Sequence, residues 1–111
     1  MSIQKPILLD LGVLDASATV CTTAQELCYN YDWFLTILKD GTDGNPTMTV
    51  EVSNNAVNWV TYNCKANGVT LTDDYTGFTD DSIPAKYFRL CFEPNGTTTG
   101  DLIIDMNLKP S

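Results

Sequence analysis

Hydrophobic and polar residues alternate with a period of two along much of this chain. In Thr47–Ser53, Met48, Val50 and Val52 fall on one face and Thr47, Thr49, Glu51 and Ser53 on the other. Side chains on a strand alternate between faces, so this pattern predicts a half-buried antiparallel strand. Asn54-Asn55 tolerate left-handed backbone and suit a tight reversal. The returning strand is expected over Val57–Cys64, anchored by Trp59. The same alternation runs through Ile83–Glu93, where Phe88, Leu90 and Phe92 oppose Tyr87, Arg89 and Cys91. In Asp101–Lys109, Leu102, Ile104, Met106 and Leu108 face inward, with Ile103, Asp105 and Asn107 outward. Tyr29–Lys39 places Tyr31, Trp33, Leu35 and Ile37 on one face, but Phe34 and Leu38 lie opposite, so both faces are partly covered.

Weaker signals fill the intervals. Ile7–Leu14 has strand character, bounded by Pro6 and broken near Gly12; Thr19–Thr23 is a short β-rich piece. Ala24–Cys28 suits one helical turn, too short to be stable alone. The loops Asp40–Pro46 and Pro94–Gly100 are marked by glycine and proline, and Lys65–Asp81 is polar, with short strands at Val69–Leu71 and Tyr75–Phe78. About seven or eight strands at this spacing, with no amphipathic helix of normal length, predict an all-β, antiparallel β-sandwich of jelly-roll or Ig-like type. One domain spans residues 1–111, with the first and last strands as candidate neighbours. The expected core comprises Trp33, Val50, Val52, Trp59, Phe88, Leu90, Leu102 and Ile104.

Composition narrows the function. With 111 residues and 43% hydrophobic content, the chain has material for a single packed core. Its formal charge of −8, from 6 basic and 14 acidic residues, argues against a nucleic-acid partner. No segment approaches the roughly 18 apolar residues of a membrane span. The opening MSIQKPILLDLG lacks the long apolar core of a signal peptide, so the expected setting is a cytosol or an assembly built there. On that basis Cys21, Cys28, Cys64 and Cys91 are expected to be reduced, mostly buried thiols; Cys91 sits within an ordinary strand pattern.

Candidate chemistry is sparse. The chain has no histidine, which removes Ser-His and Cys-His nucleophiles, and it has no glycine-rich phosphate loop. Asp40, Asp43 and Asn45 resemble an oxygen-rich calcium loop but lack the bidentate glutamate of an EF-hand, so a polar turn is expected there. Asp73-Asp74 and Asp80-Asp81 read as solvated loop charge rather than a shared cation site or an acid–base pair. Trp33, Trp59, Tyr31 and Tyr62 suit a sugar platform, although their strand positions favour core packing. Arg89, the single arginine, is placed to pair with Glu51 or Asp32. No catalytic residue, cofactor or metal is expected.

Three segments together carry a family resemblance: VEVSNNAVNWV (Val50–Val60), AKYFRLCFE (Ala85–Glu93) and TGDLIIDMNLK (Thr99–Lys109). They resemble a small β-sandwich recurrent in tailed-bacteriophage virion proteins. In that family a strand leads into Ser-Asn-Asp-Gly followed by tryptophan, a later strand reads Tyr-x-Arg-Leu, and a closing strand runs from glycine to lysine. Here Ser53-Asn54-Asn55-Ala56 stands at the turn; Tyr87, Arg89 and Leu90 fit the second piece, and Gly100, Leu102, Ile104 and Lys109 the third. The resemblance implies a non-enzymatic virion structural protein, of capsid decoration or auxiliary type, made in the host cytoplasm. The expected partners are the major capsid protein and further copies of the chain, and a trimer would match a capsid's three-fold positions. The alternative is a carbohydrate-binding or host-adhesion module of a tail or fibre.

Overall fold

A computed structural model describes residues 7–27, 31–80, 83 and 85–110. Its strands, in chain order, are β1 (Ile7–Asp15), β2 (Val20–Cys21), β3 (Gln25–Glu26), β4 (Tyr31–Asp40), β5 (Thr47–Ser53), β6 (Val60–Thr61), β7 (Val69–Thr70), β8 (Tyr75–Asp80), β9 (Tyr87–Glu93) and β10 (Asp101–Pro110). No helix occurs among the described residues. The chain is an antiparallel β-sandwich, as its alternation predicts. The described strands exceed the expected number because four of them are only two residues long.

Sheet A has the order β1-β10-β4-β8, so the first and last strands are neighbours. Sheet B has the order β2-β9-β5-β6, with β3 also on β9 and β7 also on β5. Most connections carry the chain from one sheet to the other. Register is therefore held by the buried faces rather than by tight hairpins, since a one-residue slip would turn every apolar side chain outward. Leu35 and Ile37 of β4, with Leu102, Ile104, Met106 and Leu108 of β10, pack against Met48 and Val50 of β5 and Phe88, Leu90 and Phe92 of β9; all are essentially inaccessible to solvent.

Local irregularities have local causes. In β1 the pairing shifts register between Asp10 and Gly12. Gly12 adopts φ +91, which a side chain would resist, and its N–H donates to Asp10 Oδ1 at 2.9 Å. The strand thus continues through the glycine where the sequence suggested a break. Residues 24–28 do not make the expected helical turn where they are described. Instead Gln25 and Glu26 pair with Phe88 and Tyr87, which gives their backbone partners that an isolated turn would lack. Between β2 and β3 the edge gains one residue. Thr22 bridges the gap: its N–H donates to Leu90 O at 2.8 Å and its Oγ1 accepts from Leu90 N at 3.0 Å.

The Ser53–Asn58 turn is closed by two side chains. Ser53 Oγ accepts from the N–H groups of Asn55 (3.1 Å) and Ala56 (2.9 Å), and Asn55 Oδ1 accepts from those of Val57 and Asn58 (both 2.9 Å). Ala56 holds φ +60, so the left-handed geometry persists where the resembled family carries glycine. The returning strand is shorter than expected, because only Val60 and Thr61 pair with β5. Trp59 consequently lies beyond the ladder and is only half-buried, unlike Trp33, Val50, Val52, Phe88, Leu90, Leu102 and Ile104, which are all buried.

Candidate functional site

The outer face of sheet A carries an apolar stripe. Val13 of β1 pairs with Ile103 of β10, Ile103 with Leu38 of β4, and Leu38 with Tyr75 of β8, so four side chains stand in one row across all four strands. Val13 is 60% exposed, Leu38 38% and Tyr75 64%, and Ile103 is half-buried between its neighbours. Acidic rows flank the stripe on both sides. Asp15, Asp101 and Asp40 align on one side, and Asp10 faces Asp105 on the other. Alternation marks Ile103 as outward and places Leu38 on a second covered face of its strand. Val13 and Tyr75 each look isolated along the chain until register aligns them.

About two rows further along the same face is an open notch of about 440 Å³, lined by Asp32, Trp33, Phe34, Lys65, Thr79, Asn107 and Lys109. Phe34, Thr79 and Asn107 come from a single row of β4, β8 and β10, and Lys109 stands opposite Asp32. Phe34 is 45% exposed, and its ring reaches across to Gly77, where a Cβ would sit 2.9 Å from ring carbons Cε1 and Cζ. Two lining residues carry buried polar atoms without a hydrogen-bond partner among the described residues, Trp33 Nε1 and Asn107 Oδ1. Nearly all buried polar groups in proteins are paired, so these two stand out.

Sheet B's outer face is organised differently. Arg89 on β9 faces Glu51 on β5, and both Nε and Nη2 lie 2.7 Å from Glu51 Oε1. Of the two carboxylates the sequence offered, Arg89 takes Glu51. The ring of Trp59 covers the guanidinium, with Cζ 4.3 Å from the ring centroid. Trp59 is thus a lid on an ion pair rather than a core residue, because the short β6 places it outside the sandwich.

Cys21 and Cys91 stand directly opposite one another on β2 and β9 and are joined by a disulfide, with Cα atoms 4.0 Å apart. This corrects the expectation of thiols at both positions. A separation of 70 residues conceals in the sequence what the strand pairing makes adjacent. Cys64 packs against the core, and Cys28 lies outside the described residues. Glu51 Oε1 is 3.3 Å from Cys91 Sγ, and Cys21, Glu51 and Cys91 are the one cluster of metal-ligating atoms among the described residues. With the two sulfurs bonded to each other, that cluster offers no thiolate to a metal.

The suspected calcium loop is a clasp between two loops. Asp43 Oδ1 accepts from the N–H groups of Thr98 (2.8 Å) and Thr99 (3.1 Å), and its Oδ2 accepts from the Thr98 hydroxyl. These bonds to the Thr98 side chain and to the two backbone amides hold the Asp43 carboxyl below its ordinary pKa. Asn45 Oδ1 accepts from Lys39 Nζ at 2.9 Å, so an ammonium occupies the position a cation would take beside that oxygen. Asn95 Nδ2 donates to Asn45 O at 3.1 Å, and Thr99 Oγ1 to Gly41 O at 3.2 Å. The loops 40–46 and 94–100 are engaged largely with one another. Asp73 and Asp74 are exposed, as expected of solvated charge, and Asp81 lies outside the described residues.

No family model matches the chain, and no curated protein matches its sequence.

Proposed function

We propose that this chain is a non-enzymatic structural protein of a tailed-bacteriophage virion, a capsid decoration or auxiliary protein that binds the shell. The observation that supports this reading best is the Val13–Ile103–Leu38–Tyr75 row. A row of apolar side chains across a whole sheet, rimmed by charge, has the anatomy of a docking surface. Its occupant is a surface of the shell protein with an apolar centre and a lysine- or arginine-bearing rim. Complementary charge would fix the register of such a contact, whereas a second copy of this chain would set aspartate against aspartate. Self-association, expected from the family resemblance, is therefore assigned to a sheet edge such as β8 (Tyr75–Asp80). The sequence motifs at Val50–Val60, Ala85–Glu93 and Thr99–Lys109 supply the virion setting.

The test is quantitative mass spectrometry of purified particles from cells expressing either the native chain or a Leu38→Asp, Tyr75→Asp variant. The native chain is expected in many copies per particle, and the variant is expected to fold but to be lost from particles. Absence of the native chain from particles would overturn the reading.

A further inference from the structure

The outer face of sheet B holds chemistry that the docking row on sheet A does not use. Cys21 and Cys91 lie 70 residues apart in the chain, yet strand pairing sets them directly opposite one another on β2 and β9, with Cα atoms 4.0 Å apart. Glu51 reaches over from β5, the next strand, and its Oε1 is 3.3 Å from Cys91 Sγ. We infer that, once the Cys21–Cys91 bridge is reduced, these three side chains form a binding site for a thiophilic divalent cation of the zinc class. Bridge and metal are then alternative links between the same two strands.

The donor set and its spacing fit such an ion. Two thiolates and one carboxylate are ligands that zinc accepts, and thiolates select it over calcium or magnesium. In a tetrahedral site two sulfurs, each about 2.3 Å from zinc, stand roughly 3.8 Å apart, and a sulfur and a carboxylate oxygen roughly 3.6 Å apart. Here the two sulfurs and a Glu51 carboxylate oxygen all lie within 4.8 Å of one another. Opening the bonded sulfurs to that spacing takes side-chain rotation, because the strand pairing already holds the two residues face to face. Three protein ligands leave a fourth position for water, as in open zinc sites. All three residues are half-buried on an outer face, so an ion reaches them from solvent without opening the core.

The surroundings supply the outer shell that a metal site needs. A ligating carboxylate works best when a hydrogen-bonding group fixes it from behind. Arg89 Nε and Nη2 both lie 2.7 Å from Glu51 Oε1, and the Trp59 ring covers the guanidinium, so the carboxylate is held beside the sulfurs. A carboxylate offers about four lone-pair sites, so the two donors of Arg89 leave acceptor capacity for a metal. Charge also balances: zinc, two thiolates, Glu51 and Arg89 are together neutral. Without a cation, two thiolates beside a carboxylate would repel one another. The conversion from bridge to metal is a two-electron reduction. A dithiol breaks the sulfur–sulfur bond by exchange, passes two electrons and two protons to Cys21 and Cys91, and becomes a disulfide itself. Zinc then displaces the two thiol protons to solvent.

The experiment uses the intact chain, either oxidised or reduced with a dithiol that is then removed under anaerobic conditions. Zinc is titrated into each form by calorimetry, and cobalt(II) replaces it for spectroscopy. The reduced chain is expected to bind one zinc ion and to melt at a higher temperature with zinc present; the oxidised chain should show neither effect. The cobalt complex should show thiolate-to-cobalt charge transfer in the near ultraviolet, with the visible bands of a tetrahedral ion. The reduced Cys21→Ser, Cys91→Ser variant should lose both the binding and the charge-transfer band. Zinc held instead by Cys28 or Cys64 would survive in that variant. Glu51→Gln should keep the band but bind zinc about 10–100-fold more weakly. If the double variant fails to fold, as judged by its thermal melt, Cys21→Ser alone serves in its place and should weaken both zinc binding and the band. The proposal is overturned if the reduced native chain binds no zinc at micromolar concentration, if the oxidised chain binds it equally, if the cysteine variant binds as the native chain does, or if Glu51→Gln leaves the affinity unchanged.

Discussion

The two sheets share one core but present opposite outer surfaces. On sheet B the outward residues of β5 and β9 satisfy one another: Arg89 with Glu51, Trp59 over the guanidinium, and Cys91 bonded to Cys21 on the edge strand. On sheet A the outward residues are left open, with an apolar row of Val13, Ile103, Leu38 and Tyr75 between aligned aspartates. Within the acidic rows, like charges stand directly opposite one another on neighbouring strands, an arrangement that repels. Among the described residues, five of the seven exposed large hydrophobics, Leu8, Val13, Phe34, Leu38 and Tyr75, belong to sheet A. Under the proposed function, the face left apolar and like-charged is the one that meets other molecules.

The strongest expected effects lie beneath both surfaces, where the sheets should behave alike. Leu35→Ala behind sheet A and Leu90→Ala behind sheet B should each cost about 2–5 kcal/mol in urea unfolding, because both side chains are fully buried. A loss near zero for either one would show that its sheet is not packed against the other. Next in size is the Cys21–Cys91 bridge, which exists on sheet B alone. Replacing both residues by serine should cost roughly 2–4 kcal/mol, and a reducing agent should lower the melting temperature of the native chain but not of the variant. Equal melting of the native chain with and without reductant would contradict the pairing.

The contrast between the outer faces is sharpest in a pair of neutralising substitutions. Glu51→Gln removes the carboxylate from a half-buried guanidinium and should cost about 1–2 kcal/mol. Asp105→Asn removes one of two carboxylates that face each other and should raise stability by about 0.2–1 kcal/mol. Chemical denaturation of the two variants side by side decides this; a loss on sheet A equal to that on sheet B would erase the distinction.

The smallest effect is in acid. Asp43, at the loop clasp that both sheets feed, has its pKa lowered by the Thr98 hydroxyl and the amides of Thr98 and Thr99. A carboxyl whose folded-state pKa is depressed contributes stability above its unfolded-state value, and that contribution is lost as pH falls through the folded value. Melting temperatures measured below pH 4 should therefore fall more steeply for the native chain than for Asp43→Asn. Parallel acid limbs would assign the clasp no role in pH stability.

Alternation alone determined the class of fold. Once Met48, Val50 and Val52, Phe88, Leu90 and Phe92, and Leu102, Ile104, Met106 and Leu108 are read as three apolar faces, an antiparallel sandwich is the arrangement that buries them together. Burial of Trp33, the neighbouring of β1 and β10, and the Glu51 alternative for Arg89 were likewise within reach of pattern and charge. Trp59 was not, because its place depends on where β6 ends, and a turn held by Ser53 Oγ and Asn55 Oδ1 sets that boundary. The Cys21–Cys91 bridge, the Asp43 clasp, the apolar row and the notch were also decided only in the tertiary structure. Each joins residues from strands or loops far apart in sequence. Period-two patterning reports which face a residue occupies but not which residue on another strand stands beside it. That second coordinate comes from register, which the packing of the whole core fixes at once.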